Sequence, residues 1–240
     1  PERTTLWDQI QYEGAPEDFV WILPVPSPKT EVELAEATFL DELDQSTAPL
    51  VSPKPLSGSS GPSVGCGDAD SFGSSPDGDG PVTVYDRQVV GPYETLTIGS
   101  EDPEALYSWL LERNYLITPE TADTMDEYID NGSLFLILRL APDEDVSAMQ
   151  PVRITYPGYM ASFPLTMVKV GASGALGLSL WVFSEQRYEA YNYPNQRLDP
   201  DALSYDWNTG LSNYQKVFED TIDEAGGKAW VTEYAGGIPF

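Results

Sequence analysis

Residues 16–28 read Pro-Glu-Asp-Phe-Val-Trp-Ile-Leu-Pro-Val-Pro-Ser-Pro, and the fold turns on the run from Phe19 to Leu23. Five apolar residues in succession, without polar alternation, describe a strand buried on both faces. Prolines at 24, 26 and 28 cannot donate to a sheet ladder, so pairing is expected to stop at Pro24. A second run of this kind, residues 134–140, is broken only by Arg139 and predicts another buried strand.

Moving outward, residues 9–12 alternate as a half-buried strand does, and residues 13–16 carry turn chemistry. Thr30 to Glu33 fits a capping box, and Leu34, Phe39, Leu40 and Leu43 predict a helix or two short ones before Pro49. Residues 82–85 and 93–98 alternate again. Asp102-Pro103 and Thr118-Pro119 each place a cap before a proline, which starts a helix in either case. Leu106, Trp109 and Leu110 follow with helical spacing in the first, and Ala122, Met125 and Ile129 in the second.

Further on, residues 152–156, 163–170, 176–183 and 230–234 read as strands, with an extended loop over 192–201. Leu211, Tyr214, Phe218 and Ile222 mark a helix ended by Gly226-Gly227. Residues 10–19 (IQYEGAPEDF) and 154–163 (ITYPGYMASF) share Ile, Tyr, Gly and Phe at the same offsets. A pseudo-duplicated strand-turn-strand unit explains the echo, and so does chance between two hairpins. The expected fold is a single α+β domain over residues 1–240, a largely antiparallel sheet covered by three or four helices. Residues 51–81, rich in Gly, Ser, Pro and Asp, are expected to form a long flexible acidic loop within it.

Charge and composition narrow the function classes. Thirty-nine Asp and Glu stand against twelve Lys and Arg, a net charge of -27. Such a surface repels phosphate backbones and anionic headgroups, so no nucleic-acid partner is expected. It suits saline or cation-rich surroundings as well as simple solubility. There is no histidine. That excludes a Ser-His-Asp triad, a Cys-His pair and a histidine-ligated metal within this sequence. No apolar run approaches the ~20 residues that span a bilayer, so no transmembrane segment is expected. A chain that opens on Pro1 rather than Met is expected to have lost a leader.

Several separated segments together resemble the bacterial domain-of-unknown-function family 2330. They are IQYEGAPEDFVWILPVP, VGPYETLTI followed by DPEALYSWLLERNY, and QRYEAYNYPN with the late VTEYA, in that order along nearly the whole chain. The resemblance implies an exported, extracytoplasmic protein, secreted, periplasmic or surface-anchored. It implies no catalytic residues. The family tends to carry several cysteines near the Gly-rich loop, where this sequence has only Cys66. Cys66 is either a free thiol or half of a disulfide whose partner lies outside the sequence.

Four groups of residues are candidate sites. Asp68, Asp70 and Asp79, with Gly73, fall on positions of a calcium-loop template, although Phe72 sits where a ligand belongs. Calcium is therefore the one cofactor the sequence raises. Glu120, Asp123, Glu127 and Asp130 share one side of a predicted helix, as a cation site or as a solvated polar face. Glu17 or Asp18 could be paired with Glu185, Glu189 or Glu233 as the acid and base of glycoside hydrolysis, or could simply bind backbone in a turn. Arg187, Tyr188, Tyr191 and Tyr193 form an aromatic cluster suited to a binding surface, or to packing over a sheet. The leading expectation is a non-catalytic structural or interaction module of the bacterial cell surface. It would engage an envelope or surface protein, or assemble with itself. A carboxylate enzyme acting on carbohydrate and a calcium-stabilised surface protein are the alternatives.

Overall fold

The computed structural model describes residues 3–10, 12–51, 77–159, 162–172 and 177–237. The chain forms two compact units, residues 1–39 with 70–178, and residues 40–69 with 179–240.

The first unit is built on a five-stranded antiparallel sheet. In chain order its residues give β1 (Arg3–Asp8), β2 (Val20–Val25) and β3 (Glu31–Leu34). After helix α1 (Phe39–Thr47), which falls mostly in the second unit, come β4 (Asp77–Asp79), β5 (Val82–Val90) and β6 (Tyr93–Ser100). Helices α2 (Pro103–Glu112) and α3 (Pro119–Asp130), strands β7 (Leu134–Leu140) and β8 (Val152–Pro157), and helix α4 (Leu165–Gly171) complete it. The main sheet runs β2-β7-β6-β5-β4, and a second sheet runs β1-β8-β3.

The two uninterrupted apolar runs are neighbours, paired antiparallel from Val20↔Arg139 to Val25↔Leu134. Successive side chains on a strand point to opposite faces, so such runs need cover on both sides. Ile22, Leu96, Ile98, Phe135 and Ile137 pack with Leu106, Leu110, Met125, Ile129 and Met167 of the helices. Leu23, Val25, Leu136 and Leu138 pack on the other face with Val32, Val152 and Ile154 of the three-stranded sheet. The unit is therefore helices, sheet and sheet in three layers. Tyr93 is fully buried and still satisfied, its hydroxyl donating to Gln150 O at 2.8 Å and accepting from Gln150 N at 2.9 Å.

Pairing does not stop at Pro24. It continues through Pro24↔Phe135 to Val25↔Leu134. The reason is position, because β2 is the edge strand and a missing donor there deprives no neighbour. The half-buried strand expected over 9–12 is instead β1, earlier in the chain and paired with β8 in register from Arg3↔Pro157 to Asp8↔Val152. Residues 31–34 are strand β3 on the other side of β8, and the helix begins only at Phe39. Residues 165–171 are helix where a strand was expected. The two echoing segments consequently differ, since one leads through a 3-10 turn into β2 while the other leads into α4. Three helices, α2, α3 and α4, cover this sheet, within the expected three or four.

The acidic loop falls mostly outside the described residues, as do Cys66, Asp68 and Asp70. Its last part, with Asp79, is strand β4, whose backbone pairs with β5 as Asp79↔Val82.

The second unit is held differently. It contains most of α1, β9 (Asn195–Gln196), β10 (Tyr205–Asp206), β11 (Leu211–Ser212), α5 (Tyr214–Glu224) and β12 (Trp230–Val231). Leu43 and Thr47 of α1 are its buried residues, and Trp181 donates from Nε1 to Thr47 Oγ1 at 2.8 Å. Helix α5 ends as its glycines predict, with Gly226 and Gly227 at φ 80° and 73° and Gly227 N bonded to Ile222 O. The strand expected over 176–183 is absent from 177–183, and the last strand shortens to two residues.

Candidate functional site

Residues 187–197, RYEAYNYPNQR, lead into the second unit's cleft. Two side chains fix the loop that precedes β9. Asn195 Nδ2 donates to Ala190 O at 2.8 Å, and Trp230 Nε1 donates to Asn192 Oδ1 at 3.2 Å. Strands β9 and β12 then pair in parallel, Trp230↔Asn195 and Val231↔Gln196. Parallel pairing sends both chains the same way, so Arg197 emerges beside Thr232 and Glu233. With Arg187, Leu203 and Tyr214 these residues line a cleft of about 410 Å³.

Arg187 is positioned by two partners, with Nη2 2.7 Å from Glu189 Oε1 and 3.2 Å from Thr232 Oγ1. Tyr214, at the start of α5, donates its phenol O–H to the Glu233 carboxylate. Burial, and then the Glu233 hydrogen bond and charge, push the Tyr214 phenol well above its usual range. It stays protonated and remains a donor. Arg197 has no hydrogen bond or ion pair among the described residues. The cleft thus offers two guanidiniums, a carboxylate, a threonine hydroxyl and phenol oxygens. Among the described residues Glu233 is the one carboxylate that lines it. Two-carboxylate glycoside hydrolysis needs a second across the gap.

Of the aromatic cluster, Arg187 alone lines this cleft. Tyr191 is fully exposed, Tyr188 is exposed and Tyr193 is half-buried. Glu17 and Asp18 lie in the first unit, exposed on the 3-10 turn Pro16–Asp18, which backbone bonds close without a side-chain cap. Glu120, Asp123, Glu127 and Asp130 are all exposed on α3, opposite buried Met125 and Ile129. Among the described residues no group of three or more acidic or cysteine side chains is gathered to hold a metal ion. Nor is any described helix long and apolar enough to cross a membrane.

The sequence reading passed over the β10–β11 hairpin. Asp206 accepts from Asn208 N at 2.8 Å, and Gly210, at φ 72°, bonds back to Asp206 O. These bonds hold a tight tip that leaves Trp207 75% and Leu211 67% exposed. The hydrogen bonds from Asn208 and Thr209 hold the Asp206 carboxyl below its ordinary range. The signal was present as Asp-Trp-Asn-Thr-Gly, a turn composition with an aromatic inside it.

No curated protein and no solved structure matches this chain. One family model does, described as an uncharacterized protein conserved in bacteria, and it covers residues 1–239. The chain belongs to this bacterial family, DUF2330.

Proposed function

We propose that the protein is a non-catalytic interaction module acting outside the cytoplasm, and that its C-terminal unit is the contact surface. One observation carries the reading. From residue 179 to residue 237 no side chain is buried, while Phe183, Tyr191, Trp207 and Leu211 stand exposed. Monomeric domains rarely spend aromatic residues in this way, and Trp and Tyr dominate the energetics of protein contacts. Helix α5 supports it, because none of its apolar stripe is buried.

The occupant is a protein with a basic contact face. A second copy would bring another chain of net charge -27 to the same surface. Residues 179–240 themselves carry ten acidic side chains against four basic ones. A basic partner meets both the charge and the aromatic anchors.

Affinity capture from the native envelope, with wild-type chain and a Trp207→Ser, Leu211→Ser variant side by side, tests the reading. A stoichiometric basic partner that the wild type retains, the variant loses and rising salt releases is the expected result. Sedimentation showing a dimer that the same substitutions dissolve would replace the partner by a second copy. Identical capture by both chains would remove the C-terminal surface from the account. Localisation is checked by fractionating cells that express the full gene product, and a purely cytoplasmic signal overturns that part.

A further inference from the structure

The net charge of -27 argues against anionic ligands at a distance, yet one place in the N-terminal unit has the opposite character. Three of the chain's seven arginines come from adjoining elements there. Arg139 lies opposite Glu94 across the β6–β7 ladder, and Arg87 lies opposite Leu96, two residues along β6 from Glu94. Leu96 and Ile137 belong to the helix-side core, and period two places Glu94 and Arg139 on that same face. Arg113 arrives from the C-terminal end of α2. Burial pushes the Tyr115 phenol above its ordinary range, and the positive charges of Arg139, Arg87 and Arg113 pull against it.

Two of the arginines are held on aromatic rings. The Arg113 guanidinium carbon sits 3.8 Å from the Trp109 ring centroid, and that of Arg139 5.1 Å from the Tyr115 centroid. Arg139 also binds Glu94 Oε2 through Nη2 at 2.6 Å and Nε at 2.7 Å. Arg113 reaches Trp109 O at 3.4 Å and Glu112 at 3.9 Å. The Arg87 backbone binds the neighbouring Asp86 carboxylate, while its side chain is exposed and makes no hydrogen bond or ion pair among the described residues. The Trp109 indole N–H, against which Arg113 stacks, is buried without an acceptor.

We propose that Arg87, Arg113 and Arg139 form a binding site for a small multivalent oxyanion, one that presents two carboxylate or phosphate groups. A guanidinium fork pairs with such groups in two parallel hydrogen bonds. Stacking on Trp109 and Tyr115 fixes two of the three forks in advance, so that binding has mainly Arg87 left to order. Glu94 shows which acceptor Arg139 takes, a carboxylate, and the Arg87 side chain is left for the ligand. The repulsive field of the whole molecule is screened over about 8–10 Å at physiological salt, so contact geometry decides the affinity.

The test is calorimetric titration of the full chain with pyrophosphate and with citrate, at an ionic strength held constant with sodium chloride. Saturable binding of at least one is expected. Arg87→Ala should weaken it about tenfold, the worth of one charge-assisted contact, and Arg87→Lys should recover part of the loss. Glu94→Gln should tighten it several-fold by releasing Arg139. Because Arg87 is exposed, its variants carry the test even if an Arg139 variant fails to fold. Heats equal to those of matched chloride, or Arg87→Ala binding as the wild type does, would overturn the proposal. Neither result bears on the C-terminal surface, which contains none of these residues.

Discussion

The two units use similar residues to opposite ends. Among the described residues every buried apolar side chain except Leu43 belongs to the first unit, yet the second is rich in Trp, Tyr and Phe. In the first, apolar residues lie on long paired strands, so alternate positions meet a helix layer or a second sheet. In the second, strands of two residues hold no such rows. Side chains bonded to backbone hold the chain instead. Asn213 accepts from Ser204 N at 2.7 Å and donates to Ala202 O at 2.9 Å, and Asp199 accepts from Asp201 N at 2.9 Å. Each such bond contributes about 1 kcal/mol, against roughly 1.5–3 kcal/mol for burying one large apolar side chain. Hydrophobic content therefore does not locate a core. The length of paired strand available to arrange it does.

The largest effect that could break this contrast is a cavity. Phe135 is fully buried at the middle of the helix-side core. Phe135→Ala should cost about 3–5 kcal/mol in denaturant unfolding. Phe218→Ala, on the half-buried stripe of α5, should cost less than about 1 kcal/mol. Equal losses would mean that the second unit has a core of its own.

A backbone change comes next. Gly91 begins the two-residue turn between β5 and β6 at φ 54°, and a Cβ there would fall 2.6 Å from Leu34 Cδ1. Gly91→Ala combines a left-handed backbone with a collision, at a cost of about 1–3 kcal/mol. A variant as stable as the wild type would show that the turn rearranges freely.

Features settled within a few residues were legible in the sequence. The buried strands, both prolines at helix starts and both caps appear as read, with Asp102 accepting from Ala105 N and Thr118 from Thr121 N, each at 3.1 Å. Features settled across the chain were not. Thr30 to Glu33 has the composition of a cap, but β8, more than a hundred residues away, takes it as a strand, and Arg153 pairs with Glu33 at 2.7 Å. Residues 163–170 read as a strand, yet 165–171 close a helix over the core and bury Met167. The cleft was legible only in part. Arg187 and Glu233 could be singled out as chemistry, but their meeting depends on the β9–β12 pairing, which two-residue strands do not announce.

Titration gives a smaller and signed effect inside the first unit. Asp8 is half-buried at the end of β1, and burial raises its carboxyl from 3.8 to about 6. A group whose folded value is raised favours the folded state below the unfolded value and loses that contribution as pH rises through the folded one. Stability should therefore fall between about pH 4 and 7 by something on the order of 1–2 kcal/mol, after allowance for partial exposure. Asp8→Asn should flatten that slope and raise the unfolding midpoint at pH 7. An unchanged profile would mean that Asp8 keeps its water in the fold.

The smallest stability effect is expected at Trp207, and its smallness is the informative part. The side chain is 75% exposed, with only an edge contact to Tyr205, ring centroids 5.3 Å apart. The turn beneath it is closed by Asp206 and Gly210 without the indole. Trp207→Ser should move the unfolding free energy by no more than about 0.5 kcal/mol, as surface substitutions do. Removal of an aromatic anchor from a contact, by contrast, weakens binding by about 2 kcal/mol or more. A large loss of stability with little change in partner capture would make Trp207 part of a hidden core in the second unit. The reverse pattern, a silent melt and a lost partner, is what separates an exposed aromatic kept for contact from one kept for folding.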